Sequence, residues 1–162
     1  EATPAESATF RFARLDRERF SGIRTAGHEG DTPYYTNSTK LPADYDGTLQ
    51  GALINQDSLQ PLYTTGTVFH VYMERELEDW KKARDLLSSM ITEHHIPCFT
   101  LSPVYTICQT CGYLPGRQER CPKCNGAADV YSRIAGYYRP VHDWNDGKAQ
   151  EFRNRIMFRI GE

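Results

Sequence analysis

Apolar and polar positions alternate along this chain in two rhythms. From Glu74 to Glu93, Leu77, Trp80, Ala83, Leu87, Met90/Ile91 and His94 recur at helical spacing with charges between them, which predicts an amphipathic helix. From Gly66 to Tyr72 the run Thr67, Val68, Phe69, Val71, Tyr72 is β-branched and aromatic, which predicts a strand. Pro97 to Leu101 reads as a second, short buried strand. Asp46-Gly47 opens another helix through Leu49, Ala52, Leu53 and Gln56, ending near Pro61. Residues 47–103 therefore read helix, strand, helix, strand, the pattern of an α/β sheet or barrel.

The flanks add two helices and a loop. Thr3-Pro4-Ala5-Glu6 reads as a helix start, with Thr3 as cap, Pro4 in the first position and Glu6 completing a capping box. Phe10, Ala13, Arg14 and Leu15 continue that helix, which ends before Ser21-Gly22. A final amphipathic, Arg-rich helix is expected from about Gly147 to Phe158. Between Thr25 and Asp46 runs a Gly-, Thr-, Pro- and Asn-rich loop carrying Pro33-Tyr34-Tyr35-Thr36-Asn37-Ser38, long and irregular enough to mark it as functional.

Composition narrows the class. The 162 residues suffice for one domain or a substantial piece of a larger one, and 39% hydrophobic with 25% charged content is that of a globular chain. A net charge of −2 argues against a surface that tracks a nucleic-acid polymer. No apolar run approaches the length of a membrane span and no signal peptide is visible, so a cytoplasmic protein is expected. The first residue is Glu1 rather than Met, and the chain reads as part of a longer polypeptide.

The strongest chemical signal is the pair Cys108-Gln-Thr-Cys111 and Cys121-Pro-Lys-Cys124, nine residues apart. Four soft thiolates around a closed tetrahedral site suit a structural Zn²⁺ and leave no open coordination position for catalysis. Gly112 and Gly126 follow the two knuckles, where tight turns are expected. A disulfide or redox dithiol is one rival reading. A nucleic-acid-binding zinc module is another, but the loop between the pairs holds only two Arg, one of them beside a Glu. Cys98, in the pattern Ile-Pro-Cys-Phe-Thr-Leu, is expected to be a small buried core residue.

Beyond the cysteines lies Arg133-Ile134-Ala135-Gly136-Tyr137. A backbone radical needs a residue without a side chain, because the unpaired electron spreads over the amide nitrogen and carbonyl only at a planar Cα. The competing reading makes Gly136 a plain turn glycine.

A four-cysteine ribbon directly ahead of that segment resembles the C-terminal portion of the anaerobic, class III ribonucleoside-triphosphate reductases, which are glycyl radical enzymes. The resemblance implies an α/β fold, the C-terminal part of a ten-stranded α/β barrel with a small zinc ribbon and a glycyl loop threaded into the barrel centre. It divides the chain into barrel (1–103), ribbon (104–130) and glycyl loop with C-terminal helix (131–162). It makes Gly136 the store of a radical installed by a radical-SAM activating enzyme. That radical oxidises an upstream cysteine to a thiyl, the thiyl removes the 3′ hydrogen of a ribonucleotide, and the 2′ hydroxyl leaves as water. Nothing here matches the thiyl cysteine or the effector region.

By the same resemblance, Thr3, Ala5, Glu6 and Ser7 lie in the loop that holds the substrate's phosphates; a helix N-terminus suits an anion, while the charge of Glu6 works against one. Pro33 to Thr39 is similar to a further family motif. The stretch between Cys124 and Gly136 has no Met, which leans toward a thioredoxin-like reductant over formate. The partners implied are the upstream part of the reductase, the activating enzyme, a ribonucleoside triphosphate and a second copy in a homodimer. Two alternatives stand beside this reading: a stand-alone glycyl radical spare part that docks onto a damaged reductase, and a zinc-ribbon interaction module without radical chemistry. Arg133 and Arg139 are expected to position the glycine or face the activating enzyme, and His142-Asp143 beside Trp144 to fix the radical arm. His94-His95 reads as a helix end, and Arg153, Asn154 and Arg155 as a solvated face.

Overall fold

A computed structural model describes residues 5–37 and 39–160. Helices α1 (Ala8–Arg19) and α2 (Leu49–Asp57) precede a crossover unit in which β1 (Phe69–Met73), α3 (Trp80–Glu93) and β2 (Phe99–Pro103) follow one another. The two strands are parallel, in register from Phe69↔Phe99 to Met73↔Pro103. Parallel neighbours cannot be joined by a tight turn, which is why a whole helix lies between them. Strands β3 (Tyr105–Cys108), β4 (Gly112–Pro115), β5 (Ala128–Arg133) and β6 (Tyr138–Pro140) then form an antiparallel sheet in the order β4-β3-β5-β6, and α4 (Asp146–Asn154) follows. Only Val104 separates β2 from β3, and its N–H donates to the Met73 carbonyl at 3.0 Å, so the antiparallel sheet grows directly from the crossover unit.

Alternation along β1 sets what faces the core. Phe69, Val71 and Met73 are buried with Ala52, Leu53, Met90 and Ile96, while His70 and Tyr72 point the other way. A second cluster gathers Val104 from the link after β2, Ile134 from the β5–β6 turn, Trp144 from the segment before α4 and Phe152 from α4 itself. Helix α4 is set against α1 through Gly147, where an added Cβ would lie 2.6 Å from Phe10 Cβ and 2.9 Å from Phe10 Cγ. A Cβ cannot swing away from its own backbone, so Gly147→Ala should push the helices apart and destabilise the protein by about 1–3 kcal/mol. Urea denaturation measures this, and an unchanged midpoint would show that the helices separate freely.

Several sequence expectations are corrected. The helix predicted from Glu74 begins only at Trp80, because Asp79 caps it by accepting from the Lys81 N–H at 2.8 Å. The first helix starts at Ala8 behind Ser7, whose side chain makes no cap, so Glu6 lies ahead of the helix and forms no capping box within it; Thr3 and Pro4 lie outside the described residues. The last helix stops at Asn154 instead of Phe158. Beyond it the chain is extended, with Ile156 N–H on the Ala43 carbonyl and Phe158 N–H on the Tyr72 carbonyl, both at 2.8 Å, while Phe158 and Ile160 pack on the β1 core. Arg155 is consequently not on a solvated face: its guanidinium lies 3.8 Å from the Tyr72 ring centroid and 2.9 Å from Glu151. Cys98 is exposed rather than a core residue, since β2 begins one residue later. Among the described residues no helix is long and apolar enough to cross a membrane.

Candidate metal centre and glycine hairpin

The metal centre is built from two knuckles at the end of the β3–β4 hairpin. Cys108 ends β3, and the turn to Cys111 passes into Gly112 at φ +77°, a left-handed conformation that glycine adopts without strain. The second knuckle closes with Asn125 N–H on the Cys121 carbonyl at 2.8 Å and Cys121 N–H on the Gly126 carbonyl at 2.9 Å. Its left-handed residue is Asn125 (φ 57°), not Gly126; Asn is the usual substitute because its short polar side chain tolerates that region. Gly126 serves proximity instead, since a Cβ there would meet Cys124 Sγ at 3.3 Å.

The Sγ atoms of Cys108, Cys111, Cys121 and Cys124 all lie within 4.8 Å of one another, and Cys108 and Cys124 are 3.6 Å apart. Zn–S bonds of about 2.3 Å in a tetrahedron place sulfurs about 3.8 Å apart, so four thiolates here can hold a metal ion and the cluster fits a zinc ribbon. Backbone N–H groups of Cys124 and Lys123 hold the Cys121 thiol down to about 6, whereas hydrogen bonding to Cys124 pushes Cys111 up to about 12. Thiols this close cannot all ionise unaided, and a cation at their centre removes that conflict.

Strand β5 leads from the ribbon to the glycine. Ile134-Ala135-Gly136-Tyr137 forms the tip between β5 and β6, closed by Ile134 N–H on the Tyr137 carbonyl at 3.0 Å, with Ile134 buried beneath it. Gly136 itself is exposed. Its φ is not in the left-handed region, and a Cβ built on it would meet nothing within 4 Å. Neither turn geometry nor crowding therefore requires glycine at this position.

Three elements grip the hairpin. Arg133 Nη1 donates to the Gly136 carbonyl at 2.6 Å, its Nε donates to Ser102 Oγ on β2 at 3.0 Å, and its guanidinium lies 4.9 Å from the Tyr138 ring centroid. His70 on β1 pairs with Thr100 Oγ1 at 2.7 Å and lines one cavity with Ile134 and Ala135 of the tip. From the N-terminal side, the Glu6 carboxylate accepts from the Tyr137 hydroxyl at 2.9 Å and from Arg139 at 3.2 Å, while Asn145 donates to the Glu6 carbonyl at 3.2 Å.

Of the other sequence-predicted site residues, Ala5 offers its carbonyl to Asn37 Nδ2 at 3.2 Å, which ties the Tyr34–Asn37 loop to the start of α1. Ser7 gives its carbonyl to the Arg11 N–H, the first bond of the helix. Thr3 is outside the described residues. His142 lies 3.6 Å from Asp129 and 3.4 Å from Asp143, at the foot of the same sheet. Sequence reasoning missed His70 and Ser102. A polar residue alternating with the core positions of β1 was the available signal for His70; nothing local marked Ser102.

Burial holds the His70 imidazole down to about 3, with Lys40 and Arg133 adding repulsion. Its folded-state value lies below the ordinary 6.5, so its neutral form stabilises the fold above pH 6.5, and this contribution is lost as the pH falls through 6.5 toward 3. Urea melts should show stability falling between pH 6.5 and 4.5 by up to about 1.4 kcal/mol per pH unit, and His70→Gln should flatten that slope. An unaltered slope would place the acid sensitivity elsewhere.

Fold and site together define an α/β protein in which a four-cysteine ribbon and a glycine-tipped hairpin share one sheet. The chain belongs to the anaerobic ribonucleoside-triphosphate reductase family, whose model matches residues 1–158. A curated anaerobic ribonucleoside-triphosphate reductase from Haemophilus influenzae is 24% identical over 96% of this chain. Among solved structures, an anaerobic ribonucleotide reductase superposes with a TM-score of 0.73 at 20% identity over 98% of the chain. The Thermotoga maritima anaerobic ribonucleotide reductase in complex with dATP and CTP gives 0.67 at 22% identity over 93%. The chain spans about a quarter of the length of these relatives, 23% of the Haemophilus protein and 24% and 23% of the two structures.

Proposed function

We propose that this chain is the radical- and metal-bearing C-terminal part of an anaerobic ribonucleoside-triphosphate reductase, with Gly136 as the residue that stores the radical. The observation that carries the reading is the glycine at a position where neither φ nor space asks for one. At the tip of a hairpin that grows from the ribbon, a chemical reason is at hand: only glycine gives a planar, side-chain-free Cα from which a hydrogen atom can be removed. The hydrogen leaves Gly136 Cα for the activating enzyme's S-adenosylmethionine-derived radical. In turn Gly136 regains a hydrogen atom from a cysteine thiol on the upstream part of the reductase, leaving a thiyl that starts ribonucleotide reduction. A thioredoxin-like protein supplies the two electrons that reduction of the ribonucleotide consumes.

In this reading the cluster of Cys108, Cys111, Cys121 and Cys124 holds a structural Zn²⁺ that anchors β5, and β1–α3–β2 forms part of the ten-stranded barrel. The segment of Thr3, Ala5, Glu6 and Ser7 is the loop that binds the substrate's phosphates in this reading, although the Glu6 carboxylate is taken up by Tyr137 and Arg139, and the assembled reductase is a homodimer in the cytoplasm. One solved relative is in complex with dATP and CTP, in keeping with a ribonucleoside triphosphate as substrate. Anaerobic incubation with the activating enzyme, S-adenosylmethionine and a reductant should give a doublet in electron paramagnetic resonance, and brief exposure to air should then cut the chain at Gly136. A silent spectrum together with intact chains would refute the assignment.

A further inference from the structure

We propose that Arg133 is the positioning residue of the radical, holding the Gly136 carbonyl oxygen in a charge-assisted hydrogen bond that stabilises the spin-bearing backbone. The inference rests on the assignment of the radical to Gly136 made above.

The contact is built rather than incidental. An arginine at the surface ordinarily finds a carboxylate, but among the described residues the half-buried Arg133 pairs with none; its acceptors are Ser102 Oγ at 3.0 Å and the Gly136 carbonyl at 2.6 Å. The Ser102 hydroxyl is fully buried on β2 and fixes the Nε edge of the guanidinium, while Tyr138 on β6 lies under its plane at 4.9 Å. With one edge and one face held by separate strands, Nη1 is left aimed at a single oxygen. A planar fork used in this way is pre-organised, so little freedom is lost in making the bond. The carbonyl side of the Gly136 Cα therefore has a fixed orientation, in keeping with the planarity that carbon requires.

The electronic consequence follows from where the spin goes. Once the Cα hydrogen is lost, the amide nitrogen donates electron density toward the electron-poor carbon and the carbonyl withdraws it, so negative charge grows on the Gly136 oxygen. A cation already bonded to that oxygen interacts more strongly with the radical than with the closed-shell peptide, and only such a difference lowers the energy of the radical. The bond is short and carries a full charge, the kind that is stronger than a neutral hydrogen bond. No bond is formed or broken by Arg133, and it neither gives nor takes an electron.

The test uses the whole reductase, activated anaerobically, with Arg133→Lys, Arg133→Gln and Arg133→Met compared with the unaltered protein. High-field electron paramagnetic resonance reads the g value along the carbonyl direction, which responds to hydrogen bonding at that oxygen and not to general stability. The radical's anaerobic half-life is the second readout. Arg133→Met should shift that g value and shorten the half-life roughly tenfold, with Gln and Lys between Met and the unaltered protein. Where Arg133→Met fails to fold, Arg133→Lys decides by the same g value. A folded variant with the unaltered g value and half-life would overturn the role of Arg133. Absence of any doublet in the unaltered protein would instead refute the Gly136 assignment, so the two failures are distinguishable.

Discussion

Replacing Cys121 by Ser is expected to strip the metal from the ribbon and unfold it. The reason is the size of the core it leaves behind. The cluster around the sulfurs consists of Cys108, Leu114 and Cys121, with Cys111 and Ala128 packed against it. One leucine cannot offset the entropy of ordering a segment of this length, which at roughly 1–2 kcal/mol per residue far exceeds what a single buried side chain supplies. A metal ion held by the four thiolates would supply the difference, since structural zinc sites contribute on the order of 10 kcal/mol. Metal analysis should return about one zinc per chain in the unaltered protein and close to none in Cys121→Ser. Hydrogen exchange should become fast in β3 and β4. Because β3 pairs with β5, and β5 with β6, the loss should extend to the hairpin that carries Gly136. A metal-free ribbon with protected amides would show that the thiols pack without an ion.

The ribbon was legible because its chemistry is local: ligand type and spacing are written within Cys108 to Cys124. The same holds for the β-branched run that became β1 and for α2, whose Thr48 cap sits where Asp46-Gly47 opens the helix. What escaped the sequence is decided across long separations. Glu6 has the spacing of a capping-box acid, but its carboxylate is drawn to Tyr137 and Arg139, residues 131 and 133 positions away. No Gly or Pro ends α4; the extended tail is held by Ala43, Tyr72 and the β1 core, which outweigh helical propensity there. Gly126 looks like the turn residue of its knuckle, yet the neighbouring Asn125 takes the left-handed conformation. Arg133 was recognisable as a neighbour of the glycine. That it reaches back to the carbonyl of Gly136 depends on Ser102, contributed by a strand 31 residues away.

Gly136→Ala is expected to leave the fold intact and to remove the radical entirely. Most glycines could not give so clean a separation. At Gly27 or Gly112, φ of +94° and +77° would strain any side chain, and at Gly147 the Phe10 ring blocks one, so loss of function at those sites would be confounded with loss of structure. At Gly136 an added methyl meets no atom within 4 Å and the backbone is not left-handed. Alanine there also restricts the unfolded chain, so stability should be unchanged or raised by up to about 1 kcal/mol. The radical is a different matter. With a Cβ in place, removing the Cα hydrogen would leave a carbon that must become planar with a methyl pressed against its flanking peptides, and a cysteine thiol could no longer approach that carbon from the same side. The expected outcome is a thermal midpoint equal to or above that of the unaltered protein, no doublet after activation, no cleavage in air and no nucleotide reduction by the assembled enzyme. A folded Gly136→Ala protein that still gave the doublet would move the radical to another residue. A protein that lost its fold would show instead that the hairpin tip makes contacts in the complete reductase that glycine alone permits.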